Sequence, residues 1–403
     1  MRIIFINQFF WPDSAATSQY LTDLTRFLAA QGHKVEILCG DSSYARLDAA
    51  EEEPAAVVHR IACSRFGSGL PARFCSYASF FLGALWMGLR APAADVVVTL
   101  TTPPMLSVIG AVLKSVRGVK HFIWEMDLFP EALVDVGLAK HNSWMVRLLG
   151  HIADWSRLRS DGVIAIGDCM RSRLMGRGIP AAQIHVAENW ADGSKIFPLP
   201  LHRHGPLQVL YSGNLGRPHD IDTIMYAMER LKGDPLFHFQ FVGDGARRKE
   251  LLDFCLRNGI TNTSFAPYCR RDEMLGNLAS GDIGLVTQRE TCLGTVVPSK
   301  VYGLLAAGRP IRYIGPREST PAEIIRRFGC GWQVDCGNGQ GVLELLKDLE
   351  AHRDKIAAAG ARARTAFLGH YDLPQGVARI CNIIAEAACA PAVTRLPFQA
   401  EQI

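Results

Sequence analysis

The chain has 403 residues, 48% hydrophobic and 20% charged, with a formal net charge of +4. That length exceeds what one hydrophobic core usually supports, so two domains of roughly 200 residues are expected, and the mild, scattered charge argues against a nucleic-acid partner. The 11 cysteines are dispersed with no Cys-x-x-Cys pair, which excludes a disulfide framework or a zinc site as the organising feature and fits a reducing cytoplasm.

Met1 leads directly into an apolar strand, without the basic, apolar and small-residue order of a secretory leader. In the first half, β-branched runs predict strands over 2–6, 34–38, 95–99, 120–124, 162–166 and 184–187. Helical patterns fall between them over 17–31, 74–89, 105–116, 142–159 and 169–176. Strands alternating with helices in this way predict parallel βαβ units with right-handed crossovers.

The helical stretch from Phe74 to Leu89 carries no charge and is bounded by Arg73 and Arg90. Sixteen residues make roughly 24 Å of helix, short of the ~20 residues that span a bilayer. Two roles stay open for it: a core helix packed on a sheet, or an aromatic face docked on a membrane.

After a polar, proline-rich linker over 192–206, the pattern repeats. Strands are predicted over 207–211, 238–242, 263–265, 283–286, 311–314 and 331–334, and helices over 220–231, 246–258, 271–279, 298–307 and 321–328. Beyond 341 the chain reads as mostly helical, with a break at 370–374 and a last helix over 376–388. The expected architecture is α/β with two doubly wound domains, 1–195 and 207–368, followed by a helical segment, 370–403. A ligand belongs at the carboxyl ends of the strands, in the cleft between the domains.

Several enzyme classes fail at once. The first strand runs into NQFFWPDSAAT, with no G-x-G-x-x-G, and neither a phosphate-loop motif nor a G-x-S-x-G elbow occurs. The glycine-rich turns lie in the second half: SGNLG, with Gly213, Asn214 and Gly216, and VGDG, with Gly243, Asp244 and Gly245. Strand, glycine turn and helix is an arrangement that cradles phosphate, although such glycines also serve plain tight turns. VVPSKVYGLLAAGRP adds a helix expected to start at Pro298, whose amides at Ser299, Lys300 and Val301 and whose Lys300 ammonium favour an anion.

The order SGNLG, VGDG and PSKVYGLLAAGRP resembles the carboxy-terminal domain of glycosyltransferase family 4, most closely its colanic-acid and O-antigen type. RIIFINQFFWPDSAATSQYLTDLTRFLAAQGHKVEIL, WEMDLFPE and AENWAD resemble the family's first half, so the match covers nearly the whole chain. The resemblance implies a GT-B fold, a donor on the second domain, an acceptor on the first, and a final helix that crosses back to the first domain. It further implies retention of anomeric configuration and no metal or other cofactor. The partners it implies are a UDP- or GDP-linked sugar and a lipid-linked or saccharide acceptor, such as a polyprenyl-diphosphate saccharide. The setting is cytoplasmic, with membrane contact open at Phe74 to Leu89.

Many family members carry two glutamates with seven residues between them; Thr295 and Gly303 stand there instead, so ribose binding falls to another residue, with Glu290 the candidate. The family's Arg and Lys of the first glycine turn align with Asn214 and His219, which leaves diphosphate neutralisation to Lys300, helped by Arg217 or Arg289. Backbone from Thr295 through Val296, Val297 and Pro298 to Ser299 completes the expected donor set. Catalysis needs cations and amide dipoles on the leaving diphosphate more than a strong base. Asp127 is the candidate for orienting or deprotonating the acceptor hydroxyl; a turn-forming role is its plain alternative. Trp11, Pro12, Ser14 and Glu131 are acceptor-side candidates. A nucleotide-sugar epimerase, a non-catalytic nucleotide-sugar-binding subunit and a membrane-associated interaction protein remain as alternatives.

Overall fold

Val96–Thr99 is buried at every position, as a strand covered by helices on both faces must be. It belongs to the first of two parallel sheets in the computed structural model, which describes residues 1–13, 15–41, 53–64, 69–201 and 204–389. The strands of that sheet are β1 (Arg2–Ile6), β2 (Lys34–Gly40), β3 (Val57–Ile61), β4 (Val96–Thr99), β5 (Lys120–Glu125), β6 (Gly162–Ala165) and β7 (Ile184–Val186). Their spatial order is β3-β2-β1-β4-β5-β6-β7. The helices of this half are α1 (Ala16–Ala30), α2 (Leu70–Arg90), α3 (Leu106–Arg117), α4 (Glu131–Asp135), α5 (Trp144–Arg159) and α6 (Asp168–Gly176).

The second sheet is built from β8 (Leu207–Ser212), β9 (Phe237–Val242), β10 (Thr263–Ala266), β11 (Ile283–Thr287), β12 (Ile311–Ile314) and β13 (Gly331–Val334). Its order is β10-β9-β8-β11-β12-β13. Its helices are α7 (Asp222–Arg230), α8 (Arg248–Asn258), α9 (Met274–Ala279), α10 (Lys300–Ala306), α11 (Thr320–Phe328), α12 (Gly339–Ala351) and α13 (Arg353–Ala366). α14 (Leu373–Cys389) closes the described chain. It lies against α1, and Val377, Ile380 and Ile384 enter the core of the first sheet.

Strand order reverses where β1 lies between β2 and β4, and again where β8 lies between β9 and β11. At such switch points adjacent crossovers leave on opposite faces, and a crevice opens at the carboxyl ends of the strands. Gly213 immediately follows β8 at the second of these points.

Two local departures from the expected elements have physical causes. β3 is an edge strand with its first residue exposed and His59 and Arg60 in its middle, so it lacks the apolar run that marks the other strands. The helix expected over 298–307 starts at Lys300, because the preceding backbone is held extended. Val296 bridges to Asp127, Leu128 N donates to Thr295 O at 2.9 Å, and Gln288 Nε2 donates to Val296 O at 2.8 Å. Gly308, at φ +62, supplies the left-handed turn after the helix, as expected.

Candidate active site

After β8 the chain turns through Gly213 at φ +120; after β9 it turns through Gly243 at φ +129 and Gly245 at φ +143. Side chains rarely adopt such values. A Cβ on Gly243 would lie 2.2 Å from Gly213 O, and one on Gly245 would lie 2.4 Å from the Leu215 carbonyl. The two turns thus pack backbone against backbone, joined by Gly213 N to Val242 O at 2.8 Å and Leu215 N to Asp244 O at 2.7 Å. The VGDG glycines are required by this close approach.

The missing side chain of Gly213 also makes room for Lys300, whose Cε would stand 2.9 Å from a Cβ there. Lys300 Nζ donates to Asn214 O at 3.1 Å and lies 3.2 Å from His219 Nε2. His219 Nδ1 is 2.7 Å from the Thr287 carbonyl, which can only accept, so the proton sits on Nδ1 and Nε2 accepts from Lys300. Tyr211 presents its ring 4.9 Å from the ammonium and donates its hydroxyl to Asn214 O at 2.7 Å. These partners are all neutral, and no carboxylate pairs with Lys300 among the described residues. Burial holds the ammonium down, to about 7, and together with the Lys300 charge it keeps the His219 ring well below its usual range. An anion beside Lys300 would reverse that loss of charge. The amides of Ser299, Lys300 and Val301 precede the first bond of α10, Tyr302 N to Ser299 O at 3.3 Å.

Next to these turns opens a cavity of about 740 Å³, walled by Val242, Pro267, Tyr268 and Asn277. Asn277 Nδ2 donates to Ser212 Oγ at 2.7 Å, which ties the cavity wall to the residue before Gly213.

The first domain meets this region through the segment after β5. Asp127 forms its bridge to Val296, and its carboxyl is pushed up to about 6 by burial and by the nearby Glu125. Glu125 is itself buried and paired with Arg157 at 2.7 Å. Arg157 also donates to Phe129 O at 3.3 Å and to Asp154 at 3.3 Å, and Arg177 links Asp154 to Glu131. Asp127, Glu125 and Arg157 line a small pocket with Thr101, Met105 and Phe129. A fixed charge network thus lies behind an Asp127 carboxylate that makes no hydrogen bond with the described residues.

The other expected donor-side residues divide into three groups. Thr295 faces the first domain, its hydroxyl donating to Asp135 Oδ2 at 2.8 Å; Val297 belongs to the first domain's core; Val296 and Pro298 form the seam. Ser299 hydrogen-bonds Tyr20 of α1. Asn214, Arg217, Asp244 and Glu290 are exposed, and Arg289 is half-buried with its amide on Pro218 O at 2.8 Å. Partial desolvation, followed by the charges of Asp335, Glu318 and Asp220, raises the Glu290 carboxyl.

Of the acceptor-side candidates, Trp11 packs against the first core and Pro12 is half-buried, while Ser14 lies outside the described residues. Glu131 is half-buried and ion-paired with Arg177 at 3.2 Å rather than solvated. Sequence reasoning did not place His219 in the site; the available signal was its position where the family carries Lys. The Glu125–Arg157 pair, 32 residues apart, left no spacing signal.

Two doubly wound parallel domains, with a cationic seat at the second switch point, make this a GT-B fold. The family described as "Glycosyl transferase 4-like domain" matches residues 16–190. Over that stretch, less than half of its length, the chain is similar to glycosyltransferase family 4. It is similar to the probable glycosyltransferase WbjE of Pseudomonas aeruginosa, 27% identical over 67% of this chain and 69% of that one. It is also similar to the putative colanic acid biosynthesis glycosyl transferase WcaI of Escherichia coli K12, 27% identical over 76% and 82%. In fold it matches sucrose-phosphate synthase from Thermosynechococcus elongatus, with a TM-score of 0.77 at 14% identity over 96% of this chain and 98% of that one. Anabaena HepE in complex with UDP-glucose matches at 0.72, also 14% identical, over 96% and 100%. No helix among the described residues is long and apolar enough to cross a membrane.

Proposed function

We propose that the protein transfers a sugar, with retention of anomeric configuration, from a UDP- or GDP-linked donor to a lipid-linked or saccharide acceptor in cell-surface polysaccharide synthesis. The observation that carries this is the seat of Lys300: an ammonium held by Gly213, Asn214 O and His219 Nε2 with only neutral partners. A diphosphate supplies the missing countercharge. With its phosphates at Lys300 and the α10 amides, the nucleoside reaches the cavity beside Ser212, and the sugar points toward Asp127.

Negative charge develops on the leaving diphosphate, and a preorganised ammonium and amide dipoles stabilise it more there than in the ground state. The leaving phosphate takes the acceptor proton while Asp127 orients the acceptor hydroxyl. The mechanism assigns no step to a metal, so turnover is expected to survive EDTA. The relative named for colanic acid biosynthesis supports the polysaccharide setting, and the HepE complex with UDP-glucose supports the donor class.

The test is incubation of the protein with UDP- and GDP-sugars and a polyprenyl-diphosphate saccharide. Extended acceptor is the expected product. Conversion of the sugar nucleotide without acceptor would mark an epimerase, and binding without any turnover a non-catalytic subunit. Contact of Phe74 to Leu89 with a membrane belongs to the same proposal.

A further inference from the structure

The helix dipole favours a cation, not an acid, in the last turn of a helix. α4 nevertheless ends on Asp135, whose side chain is 12% exposed. Its partners account for the placement. Arg173 of α6 donates to the carboxylate at 3.2 and 3.4 Å, and the buried Thr295 donates its hydroxyl to Oδ2 at 2.8 Å. The Asp135 carbonyl, at a helix end where intrahelical donors run out, accepts from the Thr291 hydroxyl at 2.9 Å. One residue of the first domain thus receives two threonines of the second, both on the stretch between β11 and α10.

That stretch is held from both sides. Gly294, at φ +76, brings its backbone so close to the start of α6 that a Cβ would lie 2.5 Å from Cys169 O. Leu293 packs against the first domain's core and Val297 belongs to it. From the second domain, Gln288 Nε2 donates to Cys292 O and to Val296 O, both at 2.8 Å, and its Oε1 accepts from the Tyr313 hydroxyl of β12 at 2.8 Å. A loop tied to one sheet and packed into the core of the other fixes where the two domains stand at that point. It carries Lys300 at its end and Asp127 against its middle. Val296 bridges to Asp127, Thr295 O accepts from Leu128 N at 2.9 Å, and Lys300 follows as the first residue of α10.

We propose that Asp135 is a positioning residue for sugar transfer: by holding Thr291 and Thr295 it sets how far Asp127 stands from Lys300. Thr295, expected from the sequence among the donor contacts, is the buried half of this clasp. The role rests on the reading of Lys300 as the donor seat and Asp127 as the acceptor-side group. A shift of about 1 Å between reacting groups can cost on the order of 10²-fold in rate. Nucleotide capture, by contrast, depends on Lys300 and the glycine turns, which lie within the second domain. Loss of the clasp therefore lowers kcat and spares nucleotide affinity.

The experiment compares the full-length wild type with Asp135→Ala, Thr295→Val, their double variant, Thr295→Ser and Thr291→Val. Initial rates at saturating nucleotide sugar and acceptor give kcat, calorimetry with UDP and GDP gives nucleotide affinity, and thermal melting checks the fold. Asp135→Ala and Thr295→Val are expected to lose roughly tenfold or more in kcat, with nucleotide affinity within about twofold of wild type. Thr295→Ser keeps the hydroxyl and is expected to keep most of the wild-type kcat. The double variant should be no slower than the slower single one, as for two ends of one contact. Thr291 is exposed, so Thr291→Val keeps the test decisive if Asp135→Ala does not fold; about a threefold loss of kcat at unchanged nucleotide affinity is expected there. Wild-type kcat in folded Thr295→Val and Thr291→Val, or nucleotide affinity that falls in step with kcat, would overturn the proposal. A wild type that binds nucleotide but transfers no sugar would overturn the transfer reaction and this role with it, whereas an idle clasp leaves transfer and the Lys300 seat standing.

Discussion

Lys300 Nζ lies 3.2 Å from His219 Nε2, and the Thr287 carbonyl fixes which ring nitrogen is free to receive it. A neutral ring on the loop after β8 thus holds a Lys delivered from α10.

His219 should therefore be a positioning residue. His219→Gln, which retains a side-chain acceptor, is expected to keep most activity. His219→Ala is expected to raise the donor KM by about three- to tenfold, roughly 0.6–1.4 kcal/mol, through loss of one hydrogen bond to a charged group. Equal losses in both variants would reduce His219 to packing.

The pH profile of kcat/KM should be bell-shaped. Asp127 must be ionised, and burial has raised its carboxyl to about 6, so activity falls as pH drops through that value. Lys300 must be charged, and burial has lowered it to about 7, so donor capture by the free enzyme falls as pH rises above it. Under saturating donor the bound diphosphate raises the Lys300 value, and the alkaline limb of kcat should move upward. Asp127→Asn should remove the acid limb along with most turnover, measured by initial rates.

Gly243→Ala is expected to lower both stability and donor affinity. Its Cβ would enter the space of Gly213 O at a φ of +129, displacing the turn that seats Lys300. A melting temperature and nucleotide affinity both equal to wild type would contradict the packing of the two turns.

Arg157→Leu alone should destabilise the first domain by about 3–5 kcal/mol, because it leaves the buried Glu125 carboxylate without its partner. The double variant with Glu125→Met should cost far less, since it removes both charges. Denaturant unfolding of the two variants measures the difference.

The fold was largely legible because parallel strands buried on both faces read as plain apolar runs, as in Val96–Thr99. β3 escaped because an edge strand needs no such run. At the site, Lys300 and the SGNLG turn stood out through helix-start and glycine signals that act over a few residues. Contacts that depend on which strands end side by side did not: His219 meets Lys300 across 81 residues, and Thr295 turns to Asp135 across 160. That α5 turns Gly150 and Ala153 inward and Trp144 and Leu148 to solvent could be told only once the sheet beneath it was known.

Titration calorimetry of wild type and Lys300→Ala with UDP and GDP bears most directly on the donor seat. Lys300→Ala is expected to bind the preferred nucleotide at least tenfold more weakly, about 1.4 kcal/mol, with its melting temperature retained. Unchanged nucleotide affinity in the folded variant would contradict the assignment of this ammonium to the donor diphosphate.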